Sequence, residues 1–277
     1  MKQVKKRLNH IQQQYSELHN ILRNQENIPV VAVWGLMNAG KSYLLNMLTQ
    51  HLGEEYFKTN DFRETAEIKT LRFGQVIYLD TPGLDANDAD DWEAMKGVAR
   101  ADVVLFVHQP QGELEKIELE FLRDLKNSFG DDAQQNIILI ISKADKEKPE
   151  KILEIENKIL MQCENELGFS PKCFQISNTR FHKGMNEHKN ALTQASHMNE
   201  LNAYIQQVAS ESSGVNKKRN LNKLAELVEE TEQLLDTLED KKQAMVQKLA
   251  DEFIPFNQLA DDLRVYITDM RKQYQKI

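Results

Sequence analysis

The feature that most constrains this 277-residue chain is an eight-residue loop, GLMNAGKS, at residues 35–42. The loop matches the pattern GxxxxGK[ST], in which glycines let successive backbone N–H groups surround a phosphate. An apolar run at residues 30–34 precedes it and is typical of a buried parallel strand, and a leucine-rich helical pattern follows it. The sequence therefore predicts a phosphate-binding loop between a strand and the N-terminal end of a helix, where the helix dipole also favours an anion.

Several residues in and after this loop are expected to contact a nucleotide. Lys41 is expected to reach the β- and γ-phosphates and is a catalytic candidate, and the Ser42 hydroxyl is expected to bind Mg²⁺. The other predicted contacts are Gly35, Asn38, Ala39, Gly40 and Tyr43.

A second motif, the tetrapeptide DTPG that begins at Asp80, ends another apolar run. A carboxylate at the end of a buried strand is costly unless it serves a cation, so Asp80 is predicted to hold Mg²⁺. The backbone N–H of Gly83 is expected to meet the γ-phosphate. Thr65 is predicted to complete the Mg²⁺ shell and to take part in catalysis. Thr59 and Thr70 are alternatives, but Thr65 directly precedes a predicted strand, where a loop can still move.

A third motif, SKAD at residues 142–145, matches a variant of the guanine-recognition pattern [NT]KxD. Asp145 can accept hydrogen bonds from the ring N–H and the 2-amino group of guanine, a pair that adenine does not offer. The aliphatic stem of Lys143 would cover the face of the base. Serine in the first position departs from the usual asparagine. Ser177 and Asn178, after the last predicted strand, are expected to bring a backbone N–H to the guanine oxygen.

The order of apolar runs predicts the fold class. Between residues 28 and 212, strand patterns alternate with helical patterns, which is typical of an α/β domain with a doubly wound, mostly parallel sheet. Strands at 66–73 and 76–80, joined by a tight turn, predict one antiparallel edge hairpin. Helical patterns at 1–27 and 215–277 predict N- and C-terminal stem regions on either side of the domain at 28–212.

Both stem regions repeat apolar residues at steps of three and four, the spacing of a coiled-coil seam. The N-terminal seam is Val4, Leu8, Ile11, Tyr15, Leu18 and Leu22. The C-terminal seam is Leu221, Leu224, Val228, Leu235, Leu238, Met245 and Leu249. The segment FIPF at 253–256 is predicted to end this helix, with a last helix at 257–276 and the N-terminal seam packed against both. If FIPF is exposed, it would be a membrane contact. If it is buried, it would be part of the core of the helix junction, and this is the alternative that we favour.

Composition narrows the function classes. A formal net charge of −8 gives no electrostatic reason to bind DNA. Two cysteines suit a reducing compartment, so a cytoplasmic location is expected. The N-terminus lacks an apolar signal segment. No apolar run approaches a length of about 18 residues, which a membrane-spanning helix needs. Peripheral membrane contact stays open. His182, His188 and His197 are expected to be exposed loop residues, because their spacing fits no helical face of metal ligands.

The motifs GLMNAGKS, Thr65, DTPGL, SKAD and QISN, in this order, resemble those of Era-like and dynamin-like GTPases of the P-loop class. The resemblance covers residues 28–212, and the flanking helices resemble the neck of bacterial dynamin-like proteins. It implies hydrolysis of GTP to GDP and phosphate with Mg²⁺, coupled to assembly through the stem. It also implies a homodimer across the nucleotide face, or pairing with a related GTPase, and leaves room for peripheral membrane contact.

The sequence leaves open which group completes catalysis by orienting the attacking water or stabilising the developing negative charge. In Ras-type enzymes a glutamine after the DxxG glycine orients the attacking water, and here that position is Leu84, which cannot do so. Asn38 resembles the residue that helps to hold K⁺ in potassium-activated GTPases, and the alternative is that it only caps the loop. Two other functions stay open. One is a slow GTP-gated switch that recruits a protein through coiled-coil helices, and the other is an Era-like ribosome or RNA assembly GTPase, which the acidic pI of about 5.5 disfavours.

Overall fold

The computed structural model describes four segments of the chain: residues 2–23, 28–58, 68–81 and 99–275. They form two compact units. The larger unit comprises Glu17–Asn222, and the smaller combines Met1–Ser16 with Lys223–Ile277.

The larger unit is built on a sheet of six strands from the described segments. They are β1 (Val30–Trp34), β2 (Lys69–Phe73), β3 (Val76–Asp80), β4 (Val103–His108), β5 (Ile137–Ile141) and β6 (Lys172–Gln175). Their order is β2-β3-β1-β4-β5-β6, and β2 and β3 are antiparallel while every other neighbouring pair is parallel. The predicted α/β class, the mostly parallel sheet and the edge hairpin are therefore confirmed.

The α-helices are also numbered along the chain. They are α1 (Lys2–Arg23), α2 (Lys41–Leu48), α3 (Lys116–Phe129), α4 (Ala133–Asn136), α5 (Pro149–Gln162), α6 (Asn178–Asn186), α7 (Asn190–Gln194), α8 (Met198–Glu211) and α9 (Val215–Tyr274). The start of α3 is fixed by a capping box, in which Glu115 and Glu118 each bond the other's backbone N–H. Pro149 occupies the first turn of α5, where its missing N–H costs nothing.

The core lies on both faces of the central strands. Every residue of β4 and β5 is buried, which explains why both sequences are continuous apolar runs. One face packs against apolar residues of α3 and α5, and the other against those of α2, α6 and α8. Each fully buried large side chain contributes about 1.5–3 kcal/mol. This two-sided burial holds the strand ends, and the loops that follow them, in fixed positions.

The prediction that His182 is an exposed loop residue was wrong, because residues 178–186 and 190–194 are helical. They form α6 and α7, because Ser177 caps the first turn of α6 and Phe181 packs into the core. His182 is half-buried and its Nε2 lies 2.8 Å from the Leu52 carbonyl, whereas His188 and His197 are exposed as expected. Across the described segments, no cluster of three or more His, Cys, Asp or Glu residues is arranged to hold a metal ion.

In the smaller unit, the beginning of α1 lies against early turns of α9. Arg7 Nε is 2.6 Å from Glu230 Oε1, and Ile11, Leu227 and Leu234 are buried. Leu227 and Leu234 each directly precede a residue of the predicted seam, Val228 and Leu235. The prediction of which face of α9 is buried was therefore wrong. The predicted seam residues that are exposed instead are Leu221, Val228, Leu235, Met245 and Leu249. The helix has two overlapping apolar stripes, and its buried leucines, Leu227 and Leu234, belong to the second one.

The predicted break at residues 253–256 was also wrong, because α9 is continuous over 60 residues with Pro255 inside it. An interior proline removes one backbone hydrogen bond at a cost of about 3 kcal/mol, which long helix-forming sequence on both sides can offset. Phe253, Ile254 and Phe256 are exposed, so they are not the core of a helix junction. None of the described helices is both long and apolar enough to cross a bilayer.

Candidate nucleotide-binding site

The predicted motifs meet at the carboxyl edge of the sheet. Val33 of β1 pairs with Asp80 of β3, and Ile141 of β5 pairs with Gln175 of β6. The loops that follow these four parallel strands therefore leave the sheet at the same edge. This is the edge at which open α/β sheets bind their ligands.

Two glycines shape the loop between β1 and α2. Gly35 has a φ of 150°, and a Cβ there would lie 2.1 Å from the Val107 carbonyl oxygen of β4. Gly40 has a φ of 94° immediately before α2. Only glycine tolerates both conditions without strain. The loop can thus lie flat against β4, with the N-terminal end of α2 directly behind it.

Lys41 is held in place by carbonyl groups at the beginning of the phosphate loop. Its side chain is only 8% exposed, and Nζ donates hydrogen bonds to the carbonyl oxygens of Gly35 at 3.0 Å and Leu36 at 2.9 Å. These contacts fix a positive charge at the phosphate loop. Ala39 is buried in the core beneath it, whereas Asn38 is exposed at a φ of 60°.

Ser42 and Asp80 form a pair of oxygen donors. The Ser42 hydroxyl donates to Asp80 Oδ2 at 2.8 Å, and Asp80 Oδ1 is buried with no hydrogen-bond partner among the described residues. Burial raises the pKa of the Asp80 carboxyl to about 6, although the Ser42 bond and the Lys41 charge oppose the shift. Hydroxyl and carboxylate oxygens are the ligands that Mg²⁺ prefers, so these residues fit the predicted metal site.

The base-recognition loop is fastened to the phosphate loop. Lys143, at a φ of 53°, donates from Nζ to the Asn38 carbonyl at 2.6 Å and to Gln109 Oε1 at 3.0 Å. The Ser142 hydroxyl donates to the Ala39 carbonyl at 2.7 Å. Both residues after β5 therefore tie the two loops into one structure.

Asp145 and Tyr43 belong to the part of the site that is predicted to bind the base. Asp145 Oδ1 is buried and has no partner in the part of the chain that the structure describes. Burial raises the pKa of the Tyr43 hydroxyl, and the charges of Glu55 and Asp145 raise it further. The Tyr43 ring also lies edge-on to His182 of α6, with 6.3 Å between ring centroids. Tyr43 thus connects the end of the phosphate loop with the helix that begins at Asn178.

Ser177 and Asn178 follow β6 and begin α6. Ser177 Oγ accepts the Arg180 backbone N–H at 3.1 Å, so it caps the helix. Asn178 is 5% exposed, and its Oδ1 is a buried atom without a partner in the described segments. The Ala144 N–H donates to the Ile176 carbonyl at 3.0 Å, which joins this strand end to the SKAD loop.

Two of the predicted site residues, Thr65 and Gly83, lie outside the described residues, as do Leu84 and the alternative Thr59. The other alternative, Thr70, lies within β2, opposite Leu79. The structure brings together every other residue predicted for the site at the carboxyl edge of the sheet.

Sequence reasoning missed a supporting group at the end of β4. His108 Nδ1 lies 2.9 and 3.1 Å from the carboxylate oxygens of Glu118, and both side chains are buried. The next residue, Gln109, accepts the Lys143 bond. No motif marks these residues, and the only available signal was that β4 ends at the same edge as β1.

Comparison with known proteins places this site in context. Residues 30–143 match the family model described as 50S ribosome-binding GTPase. The GTPase Era of Clostridium tetani is 31% identical over 134 residues, which cover 45% of this chain and 43% of that protein. An uncharacterised protein of Acinetobacter baylyi is 31% identical over 248 residues, 86% of this chain and 57% of that protein. The chain therefore spans less than two thirds of the length of either relative.

Solved structures share the fold. An oligomerised bacterial dynamin pair, described as sensing and tethering membranes, matches 97% of this chain and 53% of its own at a TM-score of 0.53 and 17% identity. Toc33 of Arabidopsis thaliana, in complex with GDP and Mg²⁺, matches 74% of this chain and 93% of its own at a TM-score of 0.54 and 17% identity. At such identities the likeness concerns the fold alone.

Proposed function

We propose that this chain, which carries a P-loop GTPase domain similar to that of Era in a fold shared with bacterial dynamins, binds GTP with Mg²⁺ and hydrolyses it to GDP and phosphate. One observation carries the proposal. A single sheet edge presents a fixed lysine charge, a hydroxyl–carboxylate pair and a carboxylate with one buried oxygen that suits guanine: Lys41, Ser42 with Asp80, and Asp145.

Hydrolysis requires stabilisation of negative charge on the transferring phosphoryl group. Lys41 supplies a positive charge that its two carbonyl contacts have already oriented, so little reorganisation is needed. Ser42 and Asp80 would hold Mg²⁺, which supplies further positive charge at the phosphates when it is bound. The backbone N–H groups of the glycine-rich loop fix the phosphates relative to both.

Asp145 selects the base. Its Oδ1 is buried without a partner among the described residues, so a ligand that donates two hydrogen bonds relieves a cost that an adenine ligand leaves in place. GTP and GDP are therefore the proposed ligands.

Asn38 and Thr65 are the proposed completing residues, with K⁺ beside Asn38. The exposed position of Asn38 at a φ of 60° supports this, because its side chain faces solvent at the phosphate loop. We expect GTP turnover on the order of tenfold faster in K⁺ than in Na⁺ and no such difference in Asn38→Ala. Equal wild-type rates in the two salts would remove K⁺ from the proposal and leave the magnesium-dependent reaction in place.

The exposed apolar stripe of α9 supports coupling of the nucleotide state to self-assembly. Leu235, Leu249 and Leu263 are 57%, 54% and 51% exposed and recur at multiples of seven, the repeat of a helix that pairs with another helix. We propose dimerisation across the nucleotide face, with the stripe available for further contacts. Turnover per molecule should rise with protein concentration. The exposed FIPF segment makes peripheral membrane contact testable by vesicle co-sedimentation with and without a non-hydrolysable GTP analogue.

The same stripe favours a second candidate, a slow switch whose exposed helix recruits a helical partner protein in the GTP state. This switch predicts a low turnover that does not change with concentration, so the measurement above separates the two. A role on RNA has less support, because the net charge is −8.

A further inference from the structure

The base-recognition loop has no amide side chain to offer to a base. Its first residue is Ser142, which is fully buried, and its Oγ lies 2.7 Å from the Ala39 carbonyl and 3.2 Å from the His108 carbonyl. A hydroxyl carries one hydrogen, and here that hydrogen points to main-chain oxygens. Ser142 thus joins loops and contributes no donor to a ligand.

A spare amide lies nearby, on Asn178. Asn178 is only 5% exposed, and its Oδ1 has no hydrogen-bond partner in the described segments. Helix capping does not use it, because Ser177 performs that role by accepting the Arg180 N–H. A buried side-chain oxygen without a partner is rare in folded proteins and requires an explanation.

The position of this amide points to the nucleotide. Asn178 Nδ2 lies 3.9 Å from the place that a Cβ would take on Gly40, in the phosphate loop. Two residues earlier, the Ile176 carbonyl accepts the Ala144 N–H from the base-recognition loop. The amide therefore borders the phosphate loop, and the strand end two residues before it is bonded to Ala144, the residue beside Asp145.

The chemistry of guanine supplies the missing partner. Asp145 can accept hydrogen bonds but cannot donate them, so it serves the N–H groups of the base and leaves the acceptors O6 and N7. The backbone N–H of Asn178 is expected at O6. The oxygen and nitrogen ends of an amide exchange places by a half-turn about its last bond, so the side chain can present N–H₂ to the ligand.

We propose that the side-chain amide of Asn178 donates a hydrogen bond to N7 of the guanine base, and so supplies the donor that Ser142 does not. This inference rests on the proposed binding of guanine nucleotides. Asn178 becomes a specificity residue of the base pocket that acts through its side chain as well as its main chain.

The test compares GDP with 7-deaza-GDP, in which a C–H group replaces N7. Dissociation constants are measured by calorimetry on the full chain with Mg²⁺. The wild type should bind 7-deaza-GDP about tenfold more weakly than GDP, the effect of one lost hydrogen bond of about 1.4 kcal/mol. Asn178→Ala should bind both nucleotides with the weaker affinity. Asn178→Asp, which keeps the shape and removes the donor, should also lose the preference for GDP.

Thr179→Ala is the matched control, because Thr179 is the next residue on α6 and is exposed. It should keep the tenfold preference. A wild type that binds the two nucleotides equally, or an Asn178→Ala variant that still prefers GDP tenfold, overturns the inference and leaves the proposed function intact. A folded wild type that binds neither nucleotide overturns both, and circular dichroism of each variant shows whether it has folded.

Discussion

At the amino end of the central sheet a carboxylate is fully buried and fully hydrogen-bonded, whereas at the carboxyl end two carboxylates each keep a buried oxygen without a partner among the described residues. Asp102, directly before β4, is 1% exposed. Its Oδ2 accepts the Val30 N–H at 2.9 Å and Asn216 Nδ2 at 3.0 Å, and its Oδ1 accepts the Asn216 N–H at 3.0 Å. Asp80 and Asp145 are the two at the other end.

We interpret this difference as separating groups that stabilise the fold from groups that we propose bind ligands. A buried acceptor without a partner costs about 1–3 kcal/mol, and a chain keeps such groups where they serve something outside itself. Asp102 uses its bonds to hold the start of α9 against the strand ends within the larger unit. Arg219 adds to this junction by donating to the Ala101 carbonyl at 2.9 Å and lying 3.8 Å from the centre of the Phe129 ring.

The largest expected effect is at the satisfied end. Asp102→Ala should lower the free energy of unfolding by about 3 kcal/mol, because it leaves the Val30 and Asn216 N–H groups buried without an acceptor. Urea unfolding followed by circular dichroism measures the change. Asp132→Ala is the control, since Asp132 forms a surface ion pair with Lys218 and its loss should cost less than about 1 kcal/mol. A cost at Asp102 no larger than at Asp132 would break the comparison.

The next effect has the opposite sign. Asp80→Asn should stabilise the nucleotide-free and magnesium-free chain by about 2 kcal/mol at pH 8, because burial raises the pKa of Asp80 from 3.8 to about 6. Above pH 6 the carboxylate is charged in both folded and unfolded states, and the folded state bears the cost of burial. That cost disappears as the pH falls from about 6 towards 4, so the advantage of Asp80→Asn should shrink over that range.

Addition of Mg²⁺ and GDP sharpens this second test. Mg²⁺ requires the ionised carboxylate, so the ligands should raise the melting temperature of the wild type more than that of Asp80→Asn. Equal melting temperatures for the wild type and the variant without ligand, at every pH from 5 to 8, would contradict the argument from burial.

The smallest effect on stability is expected at Asp145. Asp145→Ala should change the free energy of unfolding by less than about 1 kcal/mol, because it removes a buried oxygen that has no partner among the described residues. The same substitution should weaken GDP binding about 100-fold and leave the weak binding of ADP unchanged. Parallel urea unfolding and calorimetry test both halves. A large loss of stability with unchanged GDP affinity would assign Asp145 to the structural group.

The two ends of the sheet also differ in how far the sequence predicts them. Lys41, Asp80 and Asp145 are recognisable because each belongs to a short motif at or after the end of an apolar run, and parallel strands have their carboxyl ends at one edge of the sheet. Asp102 carries no such signal. Its partners lie 72 and 114 positions away, and a lone aspartate before a strand is indistinguishable from a solvated one.

The long helix α9 shows a different limit. Its predicted seam and the stripe that α1 covers share Leu224 and Leu238, and both stripes repeat at the heptad spacing. Spacing alone cannot decide between two apolar stripes that are one position apart. The choice depends on Leu227 and Leu234, which the contact with α1 buries. Pro255 is misleading for a related reason: the cost of one proline is local, whereas the helix extends far on either side of it.

The bond from Lys143 to the Asn38 carbonyl has one more consequence. Since the two loops are joined, the distance between the place for the base and the place for the phosphates is set before any ligand arrives. Guanosine and pyrophosphate, added separately, would each meet half of the site and lose their own freedom of motion on binding. A nucleotide links guanosine and pyrophosphate covalently at the matching distance, so it loses that freedom only once. After one part has bound, the other part is held close to its own place in the site, at a high effective concentration. If guanine nucleotides bind as proposed, Lys143 makes the protein selective for the length of the nucleotide as well as for its two ends.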